Sequence, residues 1–337
     1  MRCVRDHYSL CKHMSSPHKP TVPAMLNLCY QRRDRPTAVR QKQTRHPHKW
    51  WWVSATGAAL LLSACAGAGQ NTVPQGAQSL IPQVQAGKLP PKAASAWQPG
   101  PDWELSWTSS FEGADPLSDW NIDTEGNGWG NRQLQYYSAR NVVVQPGGGV
   151  ALTATTDGYG EQCWYGACEY SSGRLETKGL FQQEYGIFSA YIKLPAGPGL
   201  WPAFWMEGID DSTVTWPYGG EIDVIEVNNQ KPDLVEAFVH APQVNRGFYH
   251  PLANSLSASY HVYSVEWTPE GITWLIDGHE YGHTQTPVGA APFNQPFYLI
   301  LDLAVGGIWP GSPTSATKFP AQMDIAWVRV YKQRPAA

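Results

Sequence analysis

Residues 219–229 read GGEIDVIEVNN and set three carboxylates, Glu221, Asp223 and Glu226, among Ile222, Val224 and Ile225. The β-branched residues favour a strand. In a strand the side chains alternate, so positions i and i+2 share a face. Glu221 and Asp223 then point one way, and Ile222 and Val224 the other, into a core. Regular alternation sends Glu226 to the apolar side. One extra residue in a β-bulge, at Val224 or Ile225, returns it to the face of the other two acids. Three acids on a strand also suit a solvated face, so the neighbourhood has to decide between the two readings.

That neighbourhood is aromatic. Trp216-Pro217-Tyr218-Gly219-Gly220 leads into the acids, and the earlier run GLWPAFWMEG adds Trp201 and Trp205. Like charges walled by indoles raise each other's pKa, an arrangement that suits acid–base work. Glycoside hydrolysis needs such a pair of carboxyls, one as nucleophile or base and one as proton donor. A same-face Asp between them can tune both. The chain holds 16 Trp and 16 Tyr; flat rings serve as core filling or as platforms for sugars.

From Trp103 onward, short alternating segments are divided by Gly, Pro, Asn and Asp: 185–194, 261–268, 271–278, 297–305 and 323–332. WTPEGITWLIDG reads as two strands joined by a tight Pro-Glu-Gly turn. No stretch there gives a long amphipathic helix. The pattern predicts an all-β sandwich or barrel, and an antiparallel sandwich can curve so that one sheet makes a cleft.

The first hundred residues read differently. Residues 1–65 hold 11 Lys and Arg against two Asp, whereas 101–337 hold 11 against 26 Asp and Glu. An acidic body disfavours nucleic acid and sulfated polysaccharides, and no phosphate-cradling glycine motif is present. A basic stretch and an apolar run of about 13 residues, Trp50 to Leu62, read as an export signal. The run is short for a membrane span. Leu62-Ser63-Ala64-Cys65 resembles the lipobox of bacterial lipoproteins, which implies lipidation at Cys65; an ordinary cleavage site beside a chance Cys is the other reading. Residues 1–40 look like the product of a start site placed too far upstream. Residues 66–100, rich in Ala, Gln, Gly, Pro and Ser, read as a flexible linker. The domain reading is thus 1–65 extension and signal, 66–100 linker, 101–333 catalytic body. Export, as a cell-surface lipoprotein or a secreted protein, fits the cysteines. Four of the six lie at 3, 11, 29 and 65, and the remaining two, Cys163 and Cys168, are expected to pair as one disulfide. No further ligands suggest zinc.

With these residues in view, the body from about 103 to 332 resembles glycoside hydrolase family 16, in particular its laminarinase-like members. Glu221-Ile-Asp-Val-Ile-Glu226 is similar to the family's bulged E-x-D-x-x-E signature. GWGNRQLQYY (128–137), the run 171–206, FVHAP (238–242) and FYLILDLAVGGIWPG (297–311) agree in order. The resemblance implies a jelly-roll β-sandwich of two curved antiparallel sheets with an open substrate cleft, retaining endo-hydrolysis of β-1,3-glucan, and no catalytic metal. It assigns Glu221 as nucleophile, Glu226 as acid and base, and Asp223 as assistant. It places Trp201, Trp205, Trp216, Arg174, Asn131 and His240 along the cleft. Core packing for Trp205, a structural salt bridge for Arg174 and a hydrogen-bonded core site for His240 are the rival readings.

Departures from the family pattern matter too. Ser110 and Ala326 stand where many members carry acidic ligands of a structural calcium, so that site is expected to be empty, with Glu112 and Asp324 the nearest acids. Gln133 stands where a Glu is usual. Phe238 replaces a smaller polar residue and Ile308 replaces an Asn, which bears on substrate preference. Mixed β-1,3-1,4-glucan, another polysaccharide, transglycosylation and non-catalytic glucan binding stay open as alternatives. The expected partner is β-glucan, membrane contact comes only through a lipid anchor, and a monomer is the default.

Overall fold

The computed structural model describes residues 96–335, apart from 232–233, 252–256, 286–289 and the side chains of 211–212. The readings of the export signal, Cys65 and most of the linker fall outside the described residues.

Alternating apolar segments become strands because each buries one face. Two antiparallel sheets result. The first has seven strands in the order Val244–Pro251, Leu234–Ala241, Glu221–Glu226, Leu200–Gly208, Phe297–Val305, Arg174–Glu176 and Asn121–Ile122. The second runs His279–Thr284, Ile272–Ile276, His261–Trp267, Gly186–Lys193, Ala321–Gln333, Val150–Ala154 and Val142–Val144, and Trp103–Ser109 also pairs with Ala321–Gln333. This is the jelly-roll sandwich that the family resemblance implies, and it settles the pattern's choice between sandwich and barrel. Among the described residues the only helices are 3-10 turns at Ala139–Asn141 and Ile209–Ser212, and none is long and apolar enough to cross a membrane.

Strand limits follow the sequence reading within a few residues. The segments at 185–194, 261–268 and 271–278 become Gly186–Lys193, His261–Trp267 and Ile272–Ile276. Trp267 faces Ile272, and the Thr268 N–H donates to the Gly271 carbonyl at 2.9 Å, which closes the Pro-Glu-Gly turn. The core lies between the sheets. Ile222, Val224, Ile225, Phe204 and Leu301 from the first meet Phe188, Trp267 and Trp274 from the second, all buried. Truncating such a residue to Ala costs about 2–5 kcal/mol. This core fixes the first sheet, so its other face is free to form a cleft.

Candidate active site

The strand Glu221–Glu226 carries the expected bulge. Asp223 and Glu226 face Phe238 and Glu236 on the neighbouring strand, so three steps on one side match two on the other. On the opposite edge, adjacent Phe204 and Trp205 face Ile225 and Asp223, which leaves Val224 without a partner. Val224 is thus the extra residue. Ile222, Val224 and Ile225 are all buried in the core, and Glu221, Asp223 and Glu226 all line one cleft of about 620 Å³. Gly220, at φ 81°, makes the entry to this strand possible. A Cβ there would sit 2.8 Å from the Pro292 ring and 3.0 Å from the Phe297 ring.

Three indoles hold three acids. Trp216 Nε1 donates to Glu221 Oε2 at 2.6 Å, Trp201 Nε1 to Glu226 Oε1 at 2.8 Å, and Trp205 Nε1 to Asp302 Oδ1 at 2.7 Å. Trp201 and Trp205 are half-buried in the cleft wall, and Trp216 is 55% exposed at its rim. Trp205 therefore belongs to the cleft and not to the core. His240, opposite Glu221 in register, puts Nε2 3.4 Å from Asp223 Oδ2 and 3.8 Å from Glu221 Oε1. Its ring faces the acids, so it is not a core histidine.

All three acids are pushed well above the ordinary carboxylate range. For Glu221 the first cause is burial and the second is the charge of Asp223; His240 and the Trp216 N–H pull the other way. Glu226 is raised by burial, then by Asp223 and Glu221, with only the Trp201 N–H opposing. Asp223, 1% exposed, is raised mainly by burial and lowered by its contact with Glu221. Three such groups cannot all ionise at once. Trp216 and His240 favour the Glu221 anion, and Trp201 favours that of Glu226.

Arg174 meets the salt-bridge reading and the cleft reading together. Its guanidinium is buried, with Nε 2.7 Å from Asp123 Oδ2, Nη1 3.6 Å from Asp302 Oδ1 and Nη2 3.9 Å from Glu176 Oε2. It lies 4.6 Å from the Trp129 ring centre and 5.0 Å from that of Trp205. Burial lowers the Arg174 pKa, but Asp302, Tyr137 and Asp123 outweigh it and hold the group above its usual value. Burial raises Asp302 against the pull of Arg174, Trp205 and Tyr137. The two ends thus point in different directions. The geometry decides for an ion pair, because Asp302 also accepts from the Trp205 N–H at 2.7 Å and the Tyr137 O–H at 2.9 Å. Asn131 lines the cleft beside Trp129, and its carbonyl accepts from the Ile308 N–H at 2.8 Å.

The cleft also uses residues that the sequence reading did not single out: Asp123, Trp129, Lys178 and Asp302. Asp302 had a signal, as the one charge in FYLILDLAV, a strand buried at all nine positions. Trp129 stands in the quoted GWGN stretch, at φ 48°.

Cys163 and Cys168 are joined, with Sγ–Sγ at 2.08 Å. The hairpin they close braces the cleft wall: Trp164 Nε1 donates to the Gln133 carbonyl and the Tyr165 O–H to the Leu134 carbonyl, both at 2.7 Å. Among the described residues, one group of three has metal-ligand spacing: Glu221, Asp223 and His240, within 4.8 Å of one another. These are the side chains of the acid cluster itself. At the calcium position of the family pattern, Ser110 offers a hydroxyl, which donates to Glu112 Oε2 at 3.4 Å, and Ala326 offers a methyl. Asp324 faces Lys193 across the strands. That donor set does not suit a hard cation that takes six to eight oxygens.

Residues 130–329 match the model of glycosyl hydrolases family 16. A β-glucanase of Rhodothermus marinus is 37% identical over 251 residues, 69% of this chain and 86% of that protein. Glucan endo-1,3-beta-glucosidase A1 of Niallia circulans is 38% identical over 259 residues, 68% of this chain but only 38% of that longer protein. The laminarinase catalytic domain of Thermotoga maritima superposes with a TM-score of 0.64 at 34% identity, over 69% of this chain and 99% of that domain. By sequence and by fold, the chain belongs to glycosyl hydrolases family 16.

Proposed function

We propose that this chain is a retaining endo-β-1,3-glucanase, with mixed β-1,3-1,4-glucan as the alternative substrate. The observation that carries this reading is the bulge at Val224, with Glu221, Asp223 and Glu226 on the floor of one cleft. The relatives described as β-glucanase and laminarinase support the substrate class.

In this reading Glu226 gives its proton to the glycosidic oxygen while the Glu221 carboxylate attacks the anomeric carbon. The glycosyl ester on Glu221 is then opened by water, and Glu226 takes the water's proton. Such a pair works at a carboxyl separation of about 5–5.5 Å. Burial and two neighbouring acids raise Glu226, which suits a donor that must still hold its proton. The Trp216 N–H and His240 favour the Glu221 anion, which suits the nucleophile. Asp223 between them adjusts both charges.

Glu221→Gln and Glu226→Gln test the assignment. Each should lower hydrolysis of soluble β-1,3-glucan by about 10³-fold or more, with the far-UV spectrum unchanged. Full activity in either variant sinks the reading. A panel of laminarin, mixed-linkage glucan, agar, carrageenan and xyloglucan fixes the substrate, and the product lengths separate hydrolysis from glycosyl transfer.

We also propose export with lipidation at Cys65, residues 66–100 as a tether, and a monomer without calcium; the basic stretch, the apolar run and Leu62-Ser63-Ala64-Cys65 support the anchor. Intact mass of the mature protein tests the anchor: a chain that still holds residues 1–40 excludes it.

A further inference from the structure

A β-bulge leaves its extra residue unpaired in the ladder, and buried backbone carbonyls need donors. At the Glu221–Glu226 bulge those donors come from the other sheet. Trp274 Nε1 donates to the Asp223 carbonyl at 2.8 Å, and the Tyr281 O–H donates to the Val224 carbonyl at 3.2 Å. Asp223 and Val224 are the residues at which the register slips.

The opposite sheet is itself irregular at this point. Trp274 faces Gly282, but the next residue, Leu275, faces Glu280, so Tyr281 is the extra residue of a second bulge. Two bulges, one in each sheet, therefore meet through one O–H···O=C bond. Trp274 is fully buried and packs 4.5 Å from Phe248, and Tyr281 lies 5.7 Å from His250, ring centre to ring centre. Neither Trp274 nor Tyr281 lines the cleft.

We infer that Trp274 and Tyr281 are positioning residues for Glu226, and that they act through the main chain by clamping the bulge that aims its carboxyl. This rests on the reading of Glu221 and Glu226 as the reacting acids. A displacement near 1 Å at a catalytic group can cost about 10²-fold in rate, so a clamp remote from the substrate can govern turnover.

The test compares Tyr281→Phe and Trp274→Phe with Tyr263→Phe. Tyr263 is also buried, on the adjacent strand His261–Trp267, and its hydroxyl has no hydrogen-bond partner in the structure. All variants are assayed at a temperature where near-UV circular dichroism shows them folded. Tyr281→Phe should lower kcat on soluble β-1,3-glucan by about 10-fold or more with KM within about twofold, and should move the alkaline limb of the pH profile. Trp274→Phe should act in the same direction, and Tyr263→Phe should match wild type. Amide hydrogen exchange across 221–229 is the second readout and does not depend on activity. It should speed up by about 10-fold in Tyr281→Phe and stay unchanged in Tyr263→Phe. Exchange, kcat and pH profile all equal to those of Tyr263→Phe overturn the clamp. Faster exchange with unchanged kcat also overturns it, because the bond would then hold the fold and not the acid. Retained activity in Glu226→Gln is a separate failure, that of the acid assignment, and exchange still decides whether the bulge is clamped.

Discussion

Two groups of carboxylates share one cleft, and the protein treats them in opposite ways. Asp123, Asp302 and Glu176 surround Arg174, whose guanidinium lies within 2.7–3.9 Å of all three. Glu221, Asp223 and Glu226 stand three strands from Arg174 with indole donors and His240, and among the described residues no lysine or arginine pairs with them. A fixed cation makes a carboxylate permanent and rigid. A neutral N–H donor supports the anion without fixing it, so the proton can come and go. The first group can hold the wall of the cleft, and in the function proposed above the second carries out proton transfer.

The sharpest way to break this comparison is to remove one member from each group. Glu226→Gln should cost about 10³-fold or more in activity and yet raise the melting temperature at neutral pH, because a carboxyl strained by burial and by two like charges is replaced by a neutral amide that can still accept from Trp201. Arg174→Met should do the reverse to stability. It leaves Asp302 buried and Asp123 half-buried without their cation, at a cost of about 3–5 kcal/mol in chemical denaturation. If both variants lose stability to a similar extent, the two groups are not different in kind.

How much of this was legible in the sequence follows the same division. The proton-handling group is written within six residues. Ile222, Val224 and Ile225 cannot all be buried beside three same-face acids unless the strand bulges, so the spacing placed a bulge at Val224 or Ile225, and the neighbouring Trp201, Trp205 and Trp216 marked the acid face as a cleft. The wall group is spread along the chain: Asp123 and Arg174 are 51 residues apart, and Tyr137 and Asp302 are 165 apart. No local pattern announces that these side chains meet. Resemblance supplied Arg174 and Asn131 but not Asp302 or Trp129, whose roles come from strand pairing and from a left-handed turn. The clamp was invisible for the same reason, since Tyr281 reaches Val224 only because the second sheet is also bulged.

The pH dependence of stability sharpens the contrast by a smaller amount. The folded pKa values of Glu221, Asp223 and Glu226 lie above their unfolded values. Between the two, the folded state holds protons that the unfolded chain has released. Stability from this group is therefore present in full below the unfolded carboxylate range of about 4 and is lost as pH rises through the folded values. Asp223→Asn removes one charge from the cluster and relieves the other two acids. The fall in melting temperature as pH rises above about 4 should be shallower than in wild type, and the alkaline limb of activity should move to lower pH. A slope equal to that of wild type would show that the three acids do not titrate as one group.

The smallest effect expected is at Tyr137, and it asks whether the wall group is a network or a single ion pair. Tyr137 is fully buried, and its hydroxyl donates to Asp302 Oδ2 at 2.9 Å. Asp302 also has Trp205 and Arg174, so Tyr137→Phe removes one donor of three and leaves the charge paired. Bonds to charged groups contribute about 1.5–3 kcal/mol, and the remaining partners should hold the loss near the lower end of that range. Measured alone and together with Arg174→Met, the substitution closes a double-mutant cycle. Additive losses would mean that Tyr137 and Arg174 support Asp302 independently. A coupling of about 0.5 kcal/mol or more would mean that Arg174 orders Asp302 for its other donors, so that the cation sets the geometry of the wall as well as its charge.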